Sequence, residues 1–257
     1  MESRYLYFAI LGGSLLVPFL LSFDRKVQYY RRWKYLFPAM ILPALFYIAW
    51  DIFFTSQKVW DFNPRYISGY HIVNLPVEEV LFFFVVPYCC MFIYECIRVY
   101  FRNLKQQGRD DRILKISSVG MILLGLVFYN RMYTSWTFIL CGLFIQLIYR
   151  FRHYFRHFDA TLFIISYSVI LVPFLVVNGL LTSLPVVRYN NEENLGIRIL
   201  HIPVEDVFYG MLLILMNVVI YERLKSRRRT RTTRAGANGE VPEQSRRHQR
   251  RSHRSSR

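Results

Sequence analysis

Apolar residues collect along this chain in seven runs separated by short polar stretches, at Tyr5–Phe23, Tyr35–Thr55, Val77–Tyr100, Ile113–Tyr129, Met132–Tyr149, Ala160–Thr182 and Ile202–Leu224. Each is close to the ~20 residues that an α-helix needs to cross a bilayer. A helix closes its own backbone hydrogen bonds, so it can span where no water is available to do so. The expected fold class is therefore all-α, a polytopic membrane protein of about seven transmembrane helices. Tyr5–Phe23 has the position of a secretory signal, but no small-residue cleavage site follows it and Asp24-Arg25-Lys26 reads as a cytoplasmic stop, so it is taken as a mature helix.

The pattern is also written twice. Sliding the chain against itself by 127 positions, without gaps, lays Pro76-Val77-Glu78-Glu79-Val80 on Pro203-Val204-Glu205-Asp206-Val207. The same shift lays Asp51 on Asn178, Thr55-Ser56 on Thr182-Ser183, Gly69 on Gly196 and Tyr94-Glu95 on Tyr221-Glu222. Self-similarity at a fixed period marks an internal repeat. The first three runs fall on the last three and Ile113–Tyr129 has no partner. This predicts a first repeat over residues 1–105, a linker with the fourth helix over 106–131, a second repeat over 132–225 and a tail over 226–257. An odd linker helix makes the repeats parallel, with a pseudo-twofold axis along the membrane normal.

Charge gives the orientation. The chain carries 33 Lys and Arg against 17 Asp and Glu, and its 54% hydrophobic content excludes a soluble basic domain. Basic residues crowd the first, third and fifth connections, while the others hold only Lys58, Arg65, Arg131, Arg188 and Arg198. The positive-inside rule then places the N-terminus outside and the C-terminus in the cytoplasm, in the plasma (inner) membrane. From Ser226 to Arg257 the chain is polar and Arg-rich, which predicts disorder and a resting place on anionic lipid. Arg without interleaved aromatics or a folded module does not call for nucleic acid. Cys89, Cys90, Cys96 and Cys141 lie inside apolar runs without ligand spacing, so they read as packing residues, and no metal is expected.

The repeated carboxylates have a structural explanation. Proline suits the first position of a helix, acids in the first turn gain roughly 0.3–1 kcal/mol from the helix dipole, and duplication copies a cap as faithfully as an active site. Ionisable groups at membrane depth are nevertheless scarce and usually face a cavity or a partner. Asp51 lies near the same outer face as both motifs, whereas Glu95 and Glu222 sit at cytoplasmic ends beside Arg98 and Arg223, where ion pairs explain them. Residues four apart share a helix face, which puts Phe82 by Glu78, Phe83 by Glu79 and Tyr209 by Glu205 as candidate pocket walls. Paired, partly desolvated carboxyls can divide into a general acid and a base. Beside aromatic faces, which attract cations, they suit alkene protonation in a site closed to water. Asn74, His71 and His201 are weaker candidates.

Asn74-Leu75-Pro76-Val77-Glu78-Glu79-Val80 and His201-Ile202-Pro203-Val204-Glu205-Asp206-Val207 resemble the Pro-x-Glu-Glu/Asp motifs of the small membrane-embedded lycopene cyclases, here in fused form. The resemblance runs from about Tyr5 to Lys225. It implies closure of the linear ends of lycopene, or a related linear carotenoid in the bilayer, into β-ionone rings, giving γ- and then β-carotene. Glu78, Glu79, Glu205 and Asp206 are the implied acid/base residues, with Asp51, Phe82, Phe83 and Tyr209 against the substrate. The reaction is an isomerisation, and with no glycine-rich dinucleotide fingerprint in the chain no cofactor is expected. A small three-plus-one-plus-three transporter, with intramembrane acids as proton or substrate sites, is the alternative. A retinal protein is excluded because Ile202–Leu224 has no lysine.

Overall fold

The structure, a computed structural model, describes residues 4–101, 104 and 107–239. Among these are seven helices: α1 (Leu6–Leu21), α2 (Trp33–Ser56), α3 (Val77–Tyr100), α4 (Gly108–Val127), α5 (Met132–Arg150), α6 (Ala160–Ser183) and α7 (Glu205–Gly239). Every apolar run of the sequence has a helix as its main part. Five segments are long and apolar enough to cross a membrane: α2 with the 3-10 turn before it, α3, α5, α6 and the stretch Glu205–Ser226 of α7. The apolar α1 has only 16 residues, about 24 Å at 1.5 Å per residue. Arg109, Asp110, Asp111 and Arg112 charge the start of α4.

Two features depart from the sequence-based expectation. Six short strands accompany the helices: β1 (Trp60–Phe62), β2 (His71–Ile72), β3 (Leu75–Pro76), β4 (Val187–Tyr189), β5 (Arg198–Ile199) and β6 (Ile202–Pro203). Strands of two or three residues are too short to print a period-two pattern, and Pro76 and Pro203 end hairpins instead of opening helices. The second departure is α7, whose backbone stays helical through residues 226–239, where disorder was expected. An existing helix extends without a new nucleation step, and arginine is a good helix former. The remainder of the tail, 240–257, lies outside the described residues.

The loops between α2 and α3 and between α6 and α7 place the site. β1 and β4 pair antiparallel, and their central pair is Asp61 with Arg188, 127 positions apart and joined by a 2.6 Å hydrogen bond from Arg188 Nε. Equivalent residues facing each other across a ribbon require a local twofold axis between them. The flanking bonds obey it: Asn63 N–H donates to the Val186 carbonyl and Asn190 N–H to the Val59 carbonyl, both at 2.9 Å. The hairpins β2–β3 and β5–β6 match in register, and each turns through a non-glycine residue in the left-handed region, Val73 at φ 60° and Leu200 at φ 57°. The helices follow the same rule, with α2 on α7 as α6 on α3, and α1 on α3 as α5 on α7.

The linker helix α4 lies chiefly against α5. A Cβ on Gly142 would stand 2.6 Å from the Ser118 carbonyl oxygen, and one on Gly125 2.9 Å from that of Ser135. Small residues let the two backbones meet, as in membrane helix pairs generally. At the far end of α3 and α7 the axis runs through an ion cluster. Arg98 bonds Glu95 at 2.7 Å and also Glu222 of the other repeat, while Lys225 reaches Glu95 at 3.2 Å. Tyr221 Oη donates to Glu95 at 2.7 Å. The sequence pointed Glu222 toward Arg223, but Arg223 lies over the Tyr154 ring instead.

Candidate active site

Each hairpin delivers the chain to a helix start already fastened. Val77 N–H donates to the Tyr70 carbonyl and Val204 N–H to the Ile197 carbonyl, both at 3.0 Å. The first acid of each motif then turns back to the loop: Glu78 Oε1 accepts the Ser68 N–H at 2.6 Å, and Glu205 Oε1 accepts the Leu195 N–H at 2.7 Å. Thr134 Oγ1 adds a 2.6 Å bond to Glu205. Both side chains are fully buried, and neither lines the cavity described below. These two acids hold loop to helix.

The second acids face the other way. Glu79 and Asp206 line one cavity of about 40 Å³, together with Asp51 of α2 and Asn178 of α6. A water needs roughly 10–15 Å³ on the same measure, so the space beside the carboxyls admits very little water. Its walls are aromatic, with Tyr7, Trp60 and Phe82 on the first repeat's side and Tyr133, Tyr189 and Tyr209 on the second's. Trp60 stands edge-on to Tyr133 at 5.1 Å between ring centroids and to Tyr189 at 6.0 Å.

Hydrogen bonds to the three acids differ from one to the next. Tyr7 Oη donates to Glu79 Oε2 at 2.5 Å, and Tyr209 Oη donates to Asp51 Oδ1 at 2.5 Å. The Asp51 and Glu79 carboxyls line the same small cavity. Two buried carboxyls facing one small cavity do not readily ionise together, which favours one proton shared between them. Asp206 instead accepts two phenols, Tyr133 Oη at 2.5 Å on Oδ1 and Tyr189 Oη at 2.9 Å on Oδ2. Burial and then the neighbouring Asp206 carboxyl raise the Tyr189 phenol well above its ordinary value, so it remains a donor. The site thus holds a carboxyl pair able to carry a proton beside a carboxyl furnished only with donors.

Of the residues singled out in the sequence, Asp51, Glu79, Asp206, Phe82 and Tyr209 meet at this cavity. Phe82 follows Glu79 by three residues and shares its face. Glu78 and Glu205 do not reach the cavity, and Phe83 packs against Tyr47 at 5.5 Å instead of lining it. Asn74 Nδ2 donates to the Ile52 carbonyl at 2.9 Å, tying the hairpin to α2 beside Asp51. His71 and His201 are exposed on the hairpins. Sequence reasoning missed Tyr7, Trp60, Tyr133 and Tyr189. Tyr7 and Tyr133 occupy the first turns of α1 and α5, at the same end as the acids, and that placement was the available signal. Among the described residues no group of three or more His, Cys, Asp or Glu is disposed to hold a metal ion.

Comparison with known proteins points in one direction. A family model described as "Lycopene cyclase" matches residues 4–97 and 130–224. A 62-residue segment, 24% of the chain, is 26% identical to a "Bifunctional lycopene cyclase/phytoene synthase" of Aspergillus oryzae (strain ATCC 42149 / RIB 40). That segment covers only 11% of the fungal protein's length. No solved structure matches. Both repeats are matched over most of their length, and Asp51, Glu79 and Asp206 all fall inside the matched stretches, so the chain belongs to the lycopene cyclase family.

Proposed function

We propose that the protein is a lycopene β-cyclase, which converts the linear ends of lycopene to β-ionone rings by way of γ-carotene to β-carotene. The observation that carries this reading is the convergence of Asp51, Glu79 and Asp206, from both repeats, on one aromatic-walled cavity. The proton held between Asp51 and Glu79 adds to the terminal double bond and leaves a tertiary cation. An internal double bond attacks that cation and closes the six-membered ring. Asp206 then removes a proton from a neighbouring carbon, and the electrons of that C–H bond form the ring double bond. One proton enters and one leaves, so the product is an isomer of the substrate and nothing is oxidised.

The surroundings support each step. Faces of Trp60, Phe82 and Tyr209 offer the cation a partner worth ~0.5–2 kcal/mol each where water is excluded. A dry site also keeps the cation from being captured by water. Tyr7 and Tyr209 fix the acid pair, and Tyr133 and Tyr189 fix the base. In this reading all seven helices span the plasma (inner) membrane, with the N-terminus outside and the two repeats parallel. The cavity then lies near the outer surface, and the hydrocarbon substrate reaches it from the bilayer. The basic tail rests on anionic lipid at the inner surface.

Expression in cells that accumulate lycopene, followed by chromatography of the pigments, tests the proposal. One-ringed and two-ringed products are expected. Lycopene left unchanged despite good membrane expression would contradict it.

A further inference from the structure

The acid cavity does not stand alone. Phe82, Phe174 and Asn178 also form the inner end of a second, larger space of about 330 Å³ between α1, α3 and α6. Its walls are almost wholly apolar, and it opens outward past Gly13, Val17 and Pro173; Val17 is 58% exposed. Along α3 its lining runs from Phe82 to Ile93, about 16 Å at 1.5 Å per residue. That is close to half the thickness of a hydrocarbon core of about 30 Å. The groove therefore runs from the outer surface to the wall of Phe82, Phe174 and Asn178 that it shares with the acid cavity.

The twofold relation between the repeats calls for an equivalent groove between α5, α7 and α2, but the sequence fills it. At the offset of 127, Phe46 replaces Pro173, Tyr47 replaces Phe174, Trp50 replaces Val177 and Tyr209 replaces Phe82. Between α1 and α5 the offset is 126, since Tyr7 N–H donates to the Tyr66 carbonyl as Tyr133 N–H does to the Glu193 carbonyl, and there Leu143 stands where Val17 does and Ile139 where Gly13 does. These rings pack on one another: Tyr47 lies 4.7 Å from Tyr209 between centroids, Trp50 lies 5.1 Å from Tyr209, and Phe46 lies 5.6 Å from Trp50. Tyr47 Oη also donates to the Tyr209 carbonyl at 2.8 Å. Tyr47 is fully buried and Trp50 nearly so. The two prolines that interrupt α1 and α6, Pro18 and Pro173, both line the open groove. Phe144 and Phe46 take their places on the filled side.

We propose that the α1–α3–α6 groove is the one channel through which a linear polyene tail enters from the bilayer, and that the aromatic plug of the second repeat closes the equivalent route. The proposal rests on the cyclase reading for the identity of the tail. Its consequence is order in the reaction. A two-ended polyene presents one end at a time, and the second end reaches the acids only after the molecule withdraws, turns end for end and enters again. The one-ringed product is then a released intermediate.

Gly13→Phe and Val177→Trp test the channel. A Cβ on Gly13 meets nothing within 4 Å, so the new ring has room to occupy the groove without disturbing the fold, and Val177→Trp restores on α6 the residue that plugs α2. Val172→Phe, on the outer face of α6 with Val172 67% exposed, is the control. Lycopene retained by each purified protein in detergent is measured by its absorbance, and the ring products on the same samples by chromatography. Wild type and Val172→Phe are expected to retain lycopene alike, and both groove variants to retain about tenfold less or lower still, a difference near 1.4 kcal/mol. Equal retention by wild type and the two groove variants overturns the channel, whatever the ring products show. Ring products missing from a wild type that retains lycopene overturn the cyclase reading and leave the channel standing. With an active wild type, free one-ringed product is expected before two-ringed product, and two-ringed product formed without it overturns the single-entry order.

Discussion

Asp51 and Asn178 occupy equivalent positions in the two repeats, line the same cavity, and differ in the one property that matters there, a carboxyl against an amide. Asp51 gives Glu79 a second carboxyl in the cavity, whereas Asp206, the equivalent of Glu79, takes its partners from Tyr133 and Tyr189. The duplicated frame thus supports two unlike half-sites, which is what a reaction needing both a proton donor and a proton acceptor requires.

The phenols on Asp206 give a first prediction. Hydrogen bonds to a charged group are worth about 1.5–3 kcal/mol, and each 1.36 kcal/mol is tenfold in rate. Tyr133→Phe and Tyr189→Phe are each expected to slow ring formation by about tenfold or more with substrate retention unchanged. Initial rates on purified protein in lipid measure this, and a change confined to retention would assign the phenols to binding alone.

The first acids of the motifs should behave differently from the second. Glutamine at position 78 or 205 keeps an oxygen to accept the Ser68 or Leu195 N–H, so Glu78→Gln and Glu205→Gln are expected to keep much of the ring-forming activity. Glu78→Ala leaves the half-buried Ser68 N–H without its acceptor and is expected to lower stability by about 1 kcal/mol, read as a drop in Tm in detergent. An activity loss in Glu78→Gln as deep as that in Glu79→Gln would move the chemistry to the loop-holding acids.

The α4–α5 contact predicts a glycine-specific effect. A methyl group at Gly142 meets the Ser118 carbonyl oxygen, which belongs to backbone and cannot swing aside. Gly142→Ala is expected to destabilise by about 1–3 kcal/mol, while Gly12→Ala, with nothing within 4 Å of the new Cβ, does not. Thermal melts of the two variants side by side check it.

At the other end of the bundle, Arg98 joins Glu95 and Glu222 across the axis. Removing one member of a buried ion cluster costs about 3–5 kcal/mol, although Lys225 and Arg32 remain near Glu95 and reduce that figure. Arg98→Met is expected to lower Tm clearly and to leave the ring products of the surviving protein unaltered. A change in the ratio of one-ringed to two-ringed product would tie this cluster to the site.

Much of this was legible in the chain because duplication kept register through α2, α3 and the loop between them, with a one-residue shift only in α1 against α5. The offset of 127 placed the helices, and it foretold the non-equivalence of Asp51 and Asn178. It did not separate Glu78 from Glu79, since helix spacing fixes a face only once the neighbours are known, and the neighbour of Glu78 is the loop at Ser68. The β1–β4 ribbon was hidden because Trp60–Phe62 and Val187–Tyr189 pair over three residues across the two repeats. The partner tyrosines were hidden by abundance. Phe, Trp and Tyr make up 18% of the chain, so only their place in the first turns of α1 and α5 set Tyr7 and Tyr133 apart from rings that merely pack, and nothing local set Tyr189 apart.

The most direct test of the acid pair compares Asp51→Asn and Glu79→Gln with wild type in lycopene-accumulating cells, at matched membrane levels of protein. Loss of one carboxyl removes the pair that holds the proton, and general acid catalysis contributes about 10²–10⁴-fold. Both variants are expected to leave lycopene linear where wild type forms rings. Ring formation at the wild-type level in either variant would contradict the account.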